Sequence, residues 1–177
     1  MKIIFLDIDG VLNNPGTYEN KDKLMVNLGC GGLKYRQENC FEKELVNYLN
    51  EIIQQTNAYI VLSSSWRYGL DSHGEIKALL NKIMKIEGCI LGKTPESIVW
   101  QTRAKEIQAW LDRSLPYYQD LFGLDGDEPL ESFIILDDGS NFGDLQNHLV
   151  GVDGSRGLTK RDVNSAVRKL NNVSVRH

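Results

Sequence analysis

The sequence predicts an α/β protein, a three-layer sandwich in which a central, mostly parallel sheet carries helices on both faces. Three observations predict it. The runs Ile3-Ile4-Phe5-Leu6, Tyr59-Ile60-Val61-Leu62 and Phe133-Ile134-Ile135-Leu136 are continuously apolar rather than alternating, which is how strands covered on both faces read. Segments of helical periodicity separate them. Each run stops at a polar residue, namely Asp7, Ser63 and Asp137. Strand alternating with helix implies parallel strands joined by right-handed crossovers.

Taken in order, the first run leads straight into Asp7-Ile8-Asp9-Gly10. Residues 13 to 40 follow as a long polar loop or flap, marked by Asn13-Asn14-Pro15-Gly16 and Gly29-Cys30-Gly31-Gly32; loops of that length in compact domains are often functional. Phe41, Leu45, Tyr48, Leu49, Ile52 and Ile53 fall on one face of a helix from about residue 41 to 55. Beyond the second run, Ile76, Leu79, Leu80, Ile83 and Met84 mark another helix, and Cys89-Ile90-Leu91 a weaker strand. Ile107, Trp110 and Leu111 mark a third helix. Residues 114 to 130, with Pro116, Gly123, Gly126 and Pro129, read as a loop. A weak strand at Leu149 to Val152 and a helix from Asp162 to Leu170 close the pattern. No repeat, low-complexity tract or linker interrupts it, so one domain over 1–177 is expected.

Composition narrows the function classes. A net charge of −4 gives no global basic field for gathering nucleic acid, although a local groove is compatible with it. No apolar run approaches the roughly 18 residues of a membrane span, and the N-terminus reads as a strand rather than a signal peptide. Cys30, Cys40 and Cys89 have no CxxC spacing, and an odd count reads as reduced thiols in a cytoplasmic protein. His73, His148 and His177 are scattered, which argues against zinc. Asp125-Gly126-Asp127-Glu128 lacks the full spacing of a calcium loop and reads as a turn. Lys21, Asp22 and Lys23 read as a solvated tip. Trp110 reads as core, Trp66 as core or as a platform for a base, and Trp100 as either.

Ligands of an open parallel sheet bind beyond the carboxyl ends of its strands. Asp7 and Asp9, Ser63 or Ser64, and Asp137 with Asp138 converge on that edge although they are distant in sequence. Four carboxylates in one pocket repel one another unless a cation joins them, and hard oxygen ligands suit Mg²⁺. Asp7 and Asp9 point to the same side of an extended chain. One carboxylate can therefore act as nucleophile toward a phosphoryl group and the other as general acid and base. Gly10 lets the chain turn without a side chain in the way of the phosphate.

These residues carry a resemblance. Asp7-Ile8-Asp9-Gly10-Val11, the serine after the second run and Asp137-Asp138 resemble the first, second and fourth motifs of the haloacid-dehalogenase (HAD) superfamily of phosphatases. Ser63-Ser64-Ser65-Trp66-Arg67, the segment Arg103 to Leu111, Leu136-Asp137-Asp138 and Gly157-Leu158-Thr159 are similar to a bacterial and phage group associated with RNA-repair proteins.

The resemblance implies a Rossmann-like fold with a small cap or none. It further implies a Mg²⁺-dependent phosphomonoester hydrolase working through an aspartyl-phosphate. Asp7 would be nucleophile and metal ligand, and Asp9 acid/base with its main-chain carbonyl on the metal. Ser63 or Ser64 would bind the phosphoryl group, Asp137 would ligate Mg²⁺ with Asp138 beside it, and Arg67 would face the substrate. The third motif, usually lysine, offers Arg103 or Lys105. Arg103 is favoured because it begins the inward face of its helix, whereas Lys105 aligns with Gln108 and Ala109 outside. An open site suits a nucleic-acid end or nucleotide. A small phosphorylated metabolite, or a catalytically weak phosphate-binding module, is the alternative.

Overall fold

The computed structural model describes residues 1–19, 25–26, 36–37, 41–96, 102–121 and 130–171. Along the chain these form β1 (Lys2–Leu6), α1 (Pro15–Glu19), β2 (Met25–Val26), β3 (Arg36–Gln37), α2 (Lys43–Thr56), β4 (Tyr59–Leu62), α3 (His73–Lys77), β5 (Ile90–Lys93), α4 (Arg103–Arg113), α5 (Leu115–Leu121), β6 (Ser132–Asp137), β7 (Leu149–Gly151) and α6 (Lys160–Asn171). The sheet runs β5-β4-β1-β6-β7, with every neighbouring pair parallel. β2 and β3 form a separate antiparallel pair.

Period-two alternation sorts each run between two apolar layers. Ile4, Leu6, Ile60, Leu62, Ile134 and Leu136 pack on Leu45, Leu49 and Ile52 of α2 and on Val163, Ala166 and Leu170 of α6. Ile3, Phe5, Val61 and Ile135 pack on Ile107 and Trp110 of α4. The Trp110 ring meets Phe5 edge-on, with centroids 5.5 Å apart, a favoured aromatic geometry. Both faces of every long strand are thus covered, the physical reason those runs do not alternate with polar residues.

Three expectations change in detail. Residues 115–121 are helical, not loop: Pro116 sits in the first turn of α5, where its missing N–H has no intrahelical partner to lose. Tyr118 of α5 stacks on Trp110 at 5.7 Å. The helix expected over Ile76 to Met84 begins at His73 behind a Ser72–Glu75 capping box and then widens into a π turn at Ala78–Ile83. The weaker strand expected over Cys89 to Leu91 runs from Ile90 to Lys93 as β5 and pairs in parallel with β4. Lys21, Asp22, Lys23, Cys30, Cys40, Trp100, Asp125 to Glu128 and His177 lie outside the described residues, as does most of the 13–40 flap.

Candidate functional site

β1 lies between β4 and β6, with Leu6 paired to both Leu62 and Leu136. The next residue of each strand therefore arrives in one row. The ladder continues into it: the Asp7 N–H donates to the Leu136 carbonyl at 2.9 Å, and the Ser63 N–H to the Leu6 carbonyl at 2.8 Å. Phe5, Val61 and Ile135 all face the α4 layer. Two residues on, Asp7, Ser63 and Asp137 stand on that same side. Carboxylate oxygens of Asp7, Asp137 and Asp138 lie within 4.8 Å of one another, with the first two buried and Asp138 exposed.

Arg103, the first residue of α4, reaches this row. Its Nη1 is 3.4 Å from Asp7 Oδ1 and 3.5 Å from Asp137 Oδ2. A cation in the first turn of a helix opposes the macrodipole; the two carboxylates compensate it here. Lys105 is exposed on the outer face of α4. Thr102 caps the helix, its hydroxyl accepting from the Lys105 N–H.

Burial pushes the Asp7 carboxyl above the ordinary carboxylate range. Arg103, the Ser64 hydroxyl and the Ile8 N–H pull it back, while the Asp9 charge adds to the rise. Asp137 is pushed up to about 6 by burial first and then by the Asp7 charge, against Arg103 and the Gly139 N–H. The two serines differ. The Ser64 hydroxyl accepts from the Trp66 N–H at 3.3 Å, whereas the buried Ser63 hydroxyl has no hydrogen-bond partner among the described residues.

Asp9 is turned away from that row. Its Oδ1 accepts from the Trp66 indole at 2.9 Å and from the Asn13 amide at 3.0 Å, and the Ser65 hydroxyl lies 3.4 Å from Oδ2. Its carboxylate is not among the three that cluster. Gly10 has φ +73°, the left-handed turn expected of it. The space beside its Cα, reserved by the sequence argument for phosphate, is filled by Asp138: a Cβ on Gly10 would lie 2.3 Å from Asp138 Oδ2, and one on Gly154 would lie 2.5 Å from it. A pocket lined by Asp9, Gly10, Asn13, Asn14, Pro15, Asp138 and Gly154 opens beside this slot.

Arg67, expected to face substrate, points inward instead. It is 1% exposed, pairs with Glu106 of α4 at 2.7 Å and donates to the Ser64 carbonyl at 2.9 Å. The reason is Glu106, a carboxylate buried in the α4 layer that needs a cation. Asn13, Glu106, Gly154 and the indole N–H of Trp66 were not found as site residues from sequence. Asn13 had a signal, since a polar residue four positions after Asp9 can fold back across the turn.

The donor set fits a hard divalent cation. All donors are oxygens, Asp137 Oδ2 is buried without a hydrogen-bond partner, and glycine on both sides leaves room for Asp138. Asp7, Asp137 and Asp138 are the side chains that would hold Mg²⁺. A stability test follows. The Asp137 carboxyl titrates higher in the fold than in a free chain, so its ionised form opposes folding above pH 6, and the penalty is gone below pH 4. At pH 7.5 in chelator, Asp137→Asn is therefore expected to be more stable than the parent by about 1–3 kcal/mol. The parent, unlike the variant, should gain melting temperature on adding Mg²⁺; equal gains in both would remove Asp137 from the ligand set.

A five-stranded parallel sheet between helical layers, with acidic residues at its carboxyl edge, is the architecture expected of a HAD-like Rossmann-type fold. The family model described as "HAD domain in Swiss Army Knife RNA repair proteins" matches residues 3–163, and the chain belongs to that family. No match was found among curated proteins or among solved structures.

Proposed function

We propose that the protein is a Mg²⁺-dependent phosphomonoester hydrolase acting through an aspartyl-phosphate, with nucleic-acid ends or nucleotides as substrates. The observation that carries this reading is the meeting of Asp7, Asp137, Asp138 and the Arg103 guanidinium at one strand edge. Asp7 attacks phosphorus in line while the bond to the substrate oxygen breaks. Asp9 gives its proton to that oxygen, then takes one from the water that cleaves the aspartyl-phosphate. Arg103 and the Ser63 hydroxyl neutralise and hold the equatorial oxygens; Ser63 is preferred to Ser64 because its hydroxyl is uncommitted. Asp7, Asp137, Asp138 and the Asp9 carbonyl would hold Mg²⁺, which when bound would offset the negative charge of the carboxylates and the phosphoryl group. Arg67 acts behind the site, tying the Ser64 turn to α4.

The nucleic-acid preference is supported by the family, whose description names RNA repair, and by the length of the 13–40 segment, which is short for a large cap domain. No helix among the described residues is long and apolar enough to cross a membrane, and Cys89 is an exposed free thiol, which suits a cytoplasmic setting. The test is hydrolysis with Mg²⁺ and with chelator, comparing 3′- and 5′-phosphorylated oligonucleotides with small phosphomonoesters. Metal-dependent release of phosphate with preference for an oligonucleotide end is expected. Phosphate binding without release would favour a binding module, consistent with an arginine where the superfamily usually has lysine.

A further inference from the structure

We propose that the turn after β7 carries a second site for the same substrate: Arg156 and Arg161 hold a phosphodiester of the strand whose terminal phosphoryl group sits at Asp7. The inference rests on the phosphatase reading given above, and it makes a polynucleotide end the preferred substrate.

β7 is parallel to β6, so its carboxyl end opens on the same sheet edge as Asp137. The Val152 N–H continues that ladder, donating to the Asp137 carbonyl at 3.0 Å. Gly154 follows two residues later, lies against the Asp138 carboxylate and lines the pocket beside the acidic site. Arg156 is two residues further on, at most about 7 Å along the chain. The Asn14 amide donates to its carbonyl at 3.5 Å, and Asn14 lines the same first pocket. A second cleft, of about 460 Å³, shares this turn; its walls include Asp153, Arg156, Thr159, Arg161 and Asp162. The two depressions thus meet at one loop.

The charges in the second cleft are not equivalent. Asp153 Oδ1 accepts from the Ser155 hydroxyl at 2.7 Å and from the Ser155 N–H at 3.0 Å. Asp162 Oδ2 accepts from the Thr159 hydroxyl at 2.6 Å and from the Thr159 N–H at 2.9 Å. Both carboxylates are therefore bound into their own turns. The Arg156 charge helps to lower the Asp153 carboxyl, but after both Ser155 bonds. Arg156 and Arg161 are exposed, and neither forms an ion pair among the described residues. Lys160, between them in sequence, pairs with Glu51 instead. A phosphodiester brings acceptors and no donors, which suits two guanidinium forks. With a net charge of −4 the protein has no general field to hold a polyanion, so a local pair decides where the strand runs.

The test compares the full chain with Arg156→Gln/Arg161→Gln in Mg²⁺ on two substrates. One is a short single-stranded oligonucleotide carrying a terminal phosphate, the other p-nitrophenyl phosphate, which cannot reach the second cleft. The double variant is expected to lose about tenfold more kcat/KM on the oligonucleotide than on the small ester, chiefly through KM. Its salt dependence on the oligonucleotide should also flatten, since each single-strand phosphate contact contributes about 0.7 to the logarithmic slope. Equal losses on both substrates, or no loss on either, overturn the inference. So does wild-type hydrolysis of the ester but not of the oligonucleotide. Wild type that hydrolyses neither defeats the functional reading beneath, and fluorescence anisotropy of the labelled oligonucleotide then decides for the second site. About tenfold weaker binding in the double variant supports it, and equal binding overturns it. Should the double variant not fold, Arg161→Gln alone is read on the same two substrates. A difference of about threefold is expected, and none overturns the inference.

Discussion

Asp7→Asn is expected to lower kcat/KM for phosphomonoesters by at least about a thousandfold, equivalent to roughly 4 kcal/mol of transition-state stabilisation. An amide is nearly the size of the carboxylate but cannot attack phosphorus, and it presents no charge to a metal. The same change should leave the fold intact or firmer. Asp7 is buried at the end of a central strand, where burial already raises its carboxyl, so a neutral group there relieves a desolvation cost. The expected result is thus a split: turnover lost and melting temperature in chelator unchanged or higher. Beryllium fluoride with Mg²⁺ should bind the parent as an acyl-phosphate mimic and ignore the variant. Full turnover in Asp7→Asn would show that another group takes the phosphoryl.

Glu106→Ala is expected to cost about 3–5 kcal/mol of stability, the range for removing one partner of a buried ion pair. The side chains of Arg67 and Glu106 are 2% and 8% exposed and meet at 2.7 Å. Removing the carboxylate leaves a guanidinium that cannot shed its charge and has little water in reach. Urea unfolding reads the effect as a lower midpoint with an unchanged slope. Replacing both partners, Arg67→Met with Glu106→Leu, should return much of the loss, since well-packed apolar substitutes avoid desolvation. Activity should fall with Glu106→Ala even where the protein remains folded, because the pair joins the turn after Ser63 and Ser64 to the helix that carries Arg103. A stability change below about 1 kcal/mol would mean that water compensates Arg67.

The strands at the centre of this fold could be read from sequence because a buried parallel strand imposes its own signature. Ile3 to Leu6 needs apolar residues on both faces, and the polar residue that ends it marks the edge where ligands bind. Asp7, Asp137 and Asp138 were legible together for that reason, as was the inward start of α4 at Arg103. What escaped the sequence depends on partners brought close only by folding. The direction of Arg67 is decided by Glu106, and nothing near residue 67 announces a buried carboxylate 39 positions away. The Asp9 carboxylate turns toward Trp66 and Asn13 because the turn at residues 8 to 12, closed by the Leu12 N–H on the Ile8 carbonyl, brings Asn13 back over Gly10. α5 hid behind Pro116, a residue that breaks helices inside but opens them readily, and its stacking on Trp110 is a tertiary contact.

The placement of β1 between β4 and β6 has a consequence for biosynthesis. The earliest of the three strands to leave the ribosome must wait through more than half the chain before its second neighbour exists. Until then its backbone and one apolar edge are open to strangers. The cluster of Asp7, Asp137 and Asp138 can form only when β6 closes beside it, and no shorter nascent fragment can assemble the three acids.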